Sequence, residues 1–263
     1  MLPQSRLPAP PDLTDDAALF LDFDGTLVEI APAPELVEPP PGLGRLLDRL
    51  AGRLDGALAI VSGRPVEALR RNLIPFAGLL IGQHGMERRE ADGRIVDVPP
   101  PPGLEPIRQS LAAFVDRHPG LRLEDKGGTL SLHYRQAPEL ALACRRELRR
   151  AVIASCGRFR AIDGHMLVEL VPSVAGKAQA IAALLDAPPF LGRRPVFIGD
   201  DTGDEPGFEL VNRLGGISVK IGDGATAARH RLPGPAAVLA WLGRHADEPR
   251  RPEAAAASAR RCW

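Results

Sequence analysis

The sequence predicts an α/β fold, a parallel sheet flanked by helices and interrupted by a smaller inserted α+β module. Three observations carry this. Short apolar runs alternate with helix-like segments at the start of the chain, the alternation breaks off after about residue 90, and it resumes at Pro172.

Residues 17–22 read as a buried strand, too short and too sharply bounded for a helix. An amphipathic helix at 43–54 follows the stop signal Pro39-Pro40-Pro41. A second buried strand, 56–61, ends in Ser62-Gly63-Arg64, and Pro65 suits the first turn of a helix reaching about Leu73. A third apolar strand, 78–81, ends in Gln83-His84-Gly85. The prolines at 99–102 read as a hinge. The inserted module then runs helix 104–118, strands 122–125 and 129–134, helix 138–154, and strands 158–162 and 166–171. Asp163-Gly164 reads as the hairpin turn between the last two strands. The first pattern returns with helix 177–185, strand 195–198, helix 205–214, strand 217–221 and helix 235–245. The expected boundaries are therefore 1–98 and 173–246 for the two parts of the main domain, 99–172 for the insertion, and 247–263 for a tail. The tail and the proline-rich start, 1–11, are expected to be poorly ordered.

Composition narrows the function. Of 263 residues, 33 are Lys or Arg and 33 are Asp or Glu, so bulk charge favours neither nucleic acid nor a membrane surface. Aromatics are only 4%, too few for a base-stacking platform. No apolar run approaches the roughly 20 residues of a membrane span, and the start lacks the apolar core of a secretion signal. Cys144, Cys156 and Cys262 show no metal or disulfide spacing and read as reduced thiols of a cytoplasmic protein.

The chemistry concentrates at strand ends. Asp22 and Asp24, spaced i, i+2, project to the same side where the first strand ends. Two carboxylates that close repel unless a cation lies between them or one takes a proton. Gly25 permits a tight turn, and Thr26 offers a hydroxyl and an N–H beyond it. A second acidic cluster, Asp200, Asp201 and Asp204, follows strand 195–198. Ligands of open α/β sheets sit outside such strand ends, so the clusters can converge. Carboxylates without companion His or Cys suit a hard cation, most simply Mg²⁺. Ser62 and Thr26 can hold anion oxygens, and Lys177 at a helix start adds a point charge. A metal, an anion cradle and a spare carboxylate specify phosphoryl chemistry.

These residues resemble, in order, the four motifs of the haloacid dehalogenase superfamily: Asp22-Phe23-Asp24-Gly25-Thr26, Ser62, Lys177, and Gly199-Asp200-Asp201 with Asp204. The finer resemblance is to trehalose-phosphatases. It rests on Ser62-Gly63-Arg64, Gln83-His84-Gly85, the run from Leu130 through His133-Tyr134-Arg135 to Pro138, and Ser218-Val219-Lys220-Ile221-Gly222. It covers about Asp16 to Leu242. The resemblance implies a Rossmann-like core with an inserted α+β cap of the C2 type. It implies that Asp22 is the nucleophile, that Asp24 is the acid and base, and that Ser62 and Lys177 hold the phosphoryl oxygens. It implies Mg²⁺ on Asp22, the main-chain carbonyl of Asp24 and Asp200, with Asp201 and Asp204 orienting the site. Gly25, Thr26, Gly63, Arg64 and His84 line the phosphate and substrate side. In the cap, Glu124, Lys126, Arg135 and Glu169 would reach the distal glucose of trehalose 6-phosphate. Two positions depart from the family pattern: His165 stands where Lys is common, and Gly203 where Thr usually precedes the last Asp. Phosphate monoester hydrolysis can require acceleration approaching ~10²¹, or roughly 28 kcal/mol, whereas one electrostatic contact contributes about 3–4 kcal/mol. All of these parts are needed together. The expected protein is a monomeric Mg²⁺ phosphatase of a small sugar phosphate. Its rivals are another sugar-phosphate phosphatase, of the sucrose-phosphate or mannosyl-phosphoglycerate kind, or a lapsed regulatory subunit.

Overall fold

The computed structural model describes residues 7–246, apart from Ala33, Ala91 and His165. The expected tail, Cys262, the first six residues and the departure at His165 lie outside the described residues.

The strands of the main sheet are β1 (Ala17–Leu21), β2 (Leu58–Val61), β3 (Leu79–Gly82), β4 (Glu87–Arg89) and β5 (Ile95–Asp97). After the insertion come β10 (Arg194–Gly199), β11 (Ile217–Ile221) and β12 (His230–Leu232). The insertion supplies β6 (Arg122–Asp125), β7 (Leu130–His133), β8 (Phe159–Gly164) and β9 (Leu167–Pro172). The helices are α1 (Leu43–Arg53), α2 (Val66–Asn72), α3 (Leu104–Asp116), α4 (Ala141–Ala154), α5 (Lys177–Leu185), α6 (Glu205–Arg213) and α7 (Pro235–Ala246).

The main sheet has the order β12-β11-β10-β1-β2-β3-β4-β5. It is parallel from β12 to β3 and antiparallel from β3 to β5. β1 lies at the middle, and all five of its residues are buried. A strand covered on both faces has no polar side to alternate, which is why AALFL and LAIV are continuous apolar runs. Right-handed crossovers carry the chain one way from β1 and the other way from β10. α1 accordingly packs against α7, and α5 against α6, on opposite faces. The strand order turns round between β1 and β10, which opens a crevice at their carboxyl ends.

The insertion folds around a core of its own. Its sheet, β6-β7-β9-β8, is antiparallel throughout. Leu130, Leu132, Val168 and Leu170 point to one face and pack with Leu111 and Phe114 of α3 and Cys144 and Leu148 of α4. The register places Glu124, Ser131, Glu169 and Ile162 side by side on the other face.

Several expectations need correction. β4 and β5 extend the main sheet as a hairpin where no strand is predicted; ERR has no apolar residue, and IVD is a three-residue, partly exposed segment at the sheet edge, too short to read as a strand. β12, only three residues long, is likewise unpredicted. The predicted helix 138–154 starts as a 3-10 turn at Pro138–Leu140. Asp163-Gly164 is not the turn: both still belong to β8, Asp163 pairing with Val168 and Gly164 with Leu167. Pro8, in the start expected to be loose, accepts the Arg231 N–H at 3.0 Å. Cys144 and Cys156 are free thiols, and no described helix is long and apolar enough to cross a membrane.

Phe20 is fully buried in β1 and stacks on Phe190 at 5.3 Å. Phe20→Ala is expected to cost about 3–5 kcal/mol, read as a lower urea midpoint at unchanged slope.

Candidate active site

Asp22 follows β1 directly, and its N–H bonds to Ile198 O of β10 at 3.0 Å. The chain then turns back at once: Leu27 N–H reaches Phe23 O at 2.8 Å, and Gly25 N–H reaches Val28 O at 2.8 Å. Gly25 has φ 71°, and a Cβ there would come within 2.0 Å of Asp200 Oδ2. Only glycine lets the turn after β1 lie this close to the loop after β10.

Lys177 opens α5 and is buried. Its ammonium lies 2.8 Å from Asp22 Oδ1 and 2.6 Å from Asp204 Oδ1. The other oxygen of Asp204 accepts the N–H groups of Asp200 at 2.9 Å and Asp201 at 3.1 Å. Asp201 and Asp204 also form a capping box on the turn Thr202–Asp204. Carboxylate oxygens of Asp22, Asp200 and Asp204 lie within 4.8 Å of one another. Asp204 already spends both oxygens on donors, so Asp22 and Asp200 are the better cation ligands.

The electrostatics demand a further positive charge. Burial pushes the Asp22 carboxyl up to about 7, with Asp200 and Asp201 adding to the rise and Lys177 opposing it. Burial and the neighbouring Asp201 and Asp204 push Asp200 up to about 6. Burial also drives Asp204 up to about 8 against the pull of Lys177. Asp201 is lowered, because Lys177 and its hydrogen bonds with Asp204 and Gly203 outweigh its burial. Burial works against the charge of Lys177, but Asp204, Asp22 and Asp201 outweigh it and hold the ammonium well above its usual value. Buried carboxylates that resist ionising together fit a small hard cation with oxygen ligands.

Asp24 points elsewhere. Arg64 grips it with two hydrogen bonds, Nε to Oδ2 at 2.6 Å and Nη2 to Oδ1 at 2.7 Å, and lies over the Phe23 ring. Arg64, expected to face the phosphate, therefore holds Asp24. Ser62 is buried, and its hydroxyl accepts the Arg64 N–H at 3.2 Å, which leaves its own proton to donate. Thr26 is buried, and its hydroxyl has no hydrogen-bond partner. Gly63 is required by His84, whose ring would meet a Cβ there at 2.8 Å.

His84 joins the insertion to the core. Its backbone is left-handed at φ 56°, and its Nε2 lies 2.9 Å from Glu169 Oε2. The other oxygen of Glu169 accepts Lys126 Nζ at 2.9 Å and Ser131 Oγ at 2.9 Å. Arg135 donates to the carbonyl of Pro32 in the core. Glu124 bonds His133 Nε2 at 2.8 Å, and that bond holds its carboxyl below the usual value. The sequence reading brings Glu124, Lys126, Arg135 and Glu169 to one site; the structure ties Lys126 to Glu169 and leaves Glu124 and Arg135 in separate contacts. His133 and Lys220 stand in runs that carry the family resemblance but receive no site role from it; the further signal for Lys220 is a lysine inside the apolar run ISVKI.

The fold is that of haloacid dehalogenase-like hydrolases. A haloacid dehalogenase-like hydrolase from Bacteroides thetaiotaomicron shares the fold at TM-score 0.63 and 17% identity, over 86% of this chain and 98% of that one. A trehalose-6-phosphate phosphatase related protein superposes at TM-score 0.69 with 25% identity, over 87% of this chain and 96% of that one. The sequence profile of trehalose-phosphatase matches residues 20–234, and the trehalose-6-phosphate phosphatase of Escherichia coli (strain K12) is 42% identical over 233 residues, 88% of this chain and 87% of that protein. The chain belongs to the trehalose-phosphatase family.

Glu169 supplies a pH test. Burial opposes its charge, but His84 and Lys126 outweigh burial and hold its carboxyl well below the ordinary value of 4.5. A carboxyl depressed on folding adds stability that is present above its unfolded value and lost as pH falls through the folded one. From about pH 6 to about pH 3.5 the urea midpoint is expected to fall further for wild type than for Glu169→Gln. Equal falls would show that these bonds add nothing.

Proposed function

We propose that this protein hydrolyses trehalose 6-phosphate to trehalose and phosphate, the last step of trehalose biosynthesis, with Mg²⁺ and an aspartyl-phosphate intermediate on Asp22. The observation that carries the chemistry is the buried Asp22 carboxylate, aimed by Lys177 at the switch point of the sheet and facing Asp200. Asp22, Asp200 and the main-chain carbonyl of Asp24 would hold Mg²⁺, which supplies Lewis-acid polarisation of the phosphoryl group and offsets its charge.

An Asp22 oxygen attacks phosphorus, and the bond from phosphorus to the sugar oxygen breaks. Asp24 gives its proton to the departing sugar oxygen, then takes one from the water that attacks the aspartyl-phosphate. Release of phosphate restores Asp22 as a carboxylate. Arg64 keeps Asp24 in place through both steps. Ser62, Thr26 and Lys177 offer donors to the phosphoryl oxygens. Residues 99–172 act as the cap, whose polar face closes over the sugar and excludes water. Glu124, Lys126, Arg135 and Glu169 read the sugar hydroxyls from that face. The relatives' names support this substrate, and the unpaired thiols of Cys144 and Cys156 support a cytoplasmic protein. It acts as a monomer on a small molecule, with no nucleic-acid or membrane partner.

Phosphate release from a panel of sugar phosphates tests the reading. kcat/KM for trehalose 6-phosphate is expected to exceed that for glucose 6-phosphate by about 10²-fold or more. Chelator should stop turnover, and Asp22→Asn should lower kcat by at least about 10⁴-fold. Equal rates on both sugars would refute the substrate, and surviving Asp22→Asn turnover would refute the covalent route. A separate variant addresses the cap. Glu124→Ala should lower kcat/KM for trehalose 6-phosphate by about 10–100-fold and leave p-nitrophenyl phosphate within about twofold. A parallel loss on both esters would make Glu124 a structural residue.

A further inference from the structure

Lys220 is the second buried lysine beside the acid cluster, and it is bonded quite differently from Lys177. It sits in β11 opposite Gly199 of β10, one residue before Asp200. Its side chain is buried, yet no carboxylate lies within ion-pair distance of its ammonium among the described residues. The ammonium donates instead to two main-chain oxygens, that of Asp200 and that of Ile221, the latter at 2.7 Å. Taking an ammonium out of water is costly unless nearby charges and dipoles compensate it. Here the two carbonyl dipoles face it.

The position of those bonds points to their role. The Asp200 N–H is held by Asp204 Oδ2 at 2.9 Å, and the Asp200 carbonyl is held by Lys220. Asp200 is thus clamped on both sides of its α-carbon, which sets the direction of its side chain. Gly25 presses on that side chain so closely that a single methyl would meet Asp200 Oδ2 at 2.0 Å. Little slack is left, and a small rotation of the Asp200 main chain would carry its carboxylate away from Asp22.

We propose that Lys220 is a positioning residue of the cation site: it fixes the Asp200 main chain so that the carboxylate stays opposed to Asp22. The proposal rests on the reading of Asp22 and Asp200 as Mg²⁺ ligands. Residues that hold ligands in place are worth about 10–100-fold in metal affinity.

Titration calorimetry of Mg²⁺ into chelator-stripped protein, without substrate, tests it. Lys220→Met keeps the unbranched chain and removes the donors, and its Mg²⁺ dissociation constant is expected to rise about 10–100-fold. Should that variant not fold, Lys220→Gln, shorter and uncharged, carries the same expectation. A purely structural role would lower the melting temperature and leave the dissociation constant of the folded protein where it was. If wild type binds Mg²⁺, Asp200→Asn does not, and the folded Lys220 variant binds within about twofold of wild type, the assignment of Lys220 is overturned alone. If wild type takes up no Mg²⁺, or Asp200→Asn binds it as well as wild type does, the cation site falls and the proposal falls with it.

Discussion

Four carboxylates, those of buried Asp22 and Asp204, half-buried Asp200 and exposed Asp201, crowd one end of the central sheet, and their mutual repulsion shapes what surrounds them. Lys177 is the ammonium bonded directly to two of them. Asp204 is further occupied by the N–H groups of Asp200 and Asp201, which ties the loop after β10 into one rigid turn. Gly25 brings the turn after β1 against that loop. This excess of carboxylates over ammonium groups is what suits the end of the sheet to the proposed cation. The apolar strands below keep water out, so each charge counts for more than it would at a surface.

Asp24, the proposed acid and base, is set apart from this crowd. Asp24 lies just beyond Asp22 in sequence, but Arg64 draws it into a bidentate pair over Phe23. Two carboxylates of one short motif thereby acquire different surroundings, one paired with an ammonium inside the cluster and one gripped by a guanidinium at its edge. Different surroundings let two like groups perform different tasks. The insertion contributes through a polar sheet face laid toward the core. Glu169 is the hub of that face, bonded to Lys126 and Ser131 within the insertion and to His84 across it. His84 is also hydrogen-bonded through its N–H to Ser62 O at 3.1 Å, so the polar face of the inserted sheet and the turn after β2 share one residue.

Much of the main domain is legible in the sequence because buried parallel strands are unbroken apolar runs with abrupt polar ends. β1, β2, β10 and β11 announce themselves this way, and Asp22, Ser62 and Asp200 stand at their ends. β4, β5 and β12 do not, since three-residue strands at or next to a sheet edge owe their conformation to the neighbours they pair with. The hairpin at Asp163-Gly164 misleads for a related reason: the dipeptide suits a turn, but pairing of Gly164 with Leu167 keeps it within β8. Lys220 is legible as a member of a family-like run and an oddity in an apolar strand, but its partner, a carbonyl 20 residues away, is not.

The sequence by itself determined the order of strands and helices, the interruption by a second module, and the residue types available for phosphoryl chemistry. Local periodicity and turn chemistry suffice for these, since they depend on neighbours along the chain. The tertiary structure decided which charge meets which: Lys177 with Asp22 and Asp204, Arg64 with Asp24, Glu169 with His84, Lys220 with the Asp200 carbonyl. Those pairings join residues 20 to 155 positions apart, as in the 85-residue step from His84 to Glu169. They follow from strand order, register and the way the two sheets face each other, and no local pattern encodes those distances.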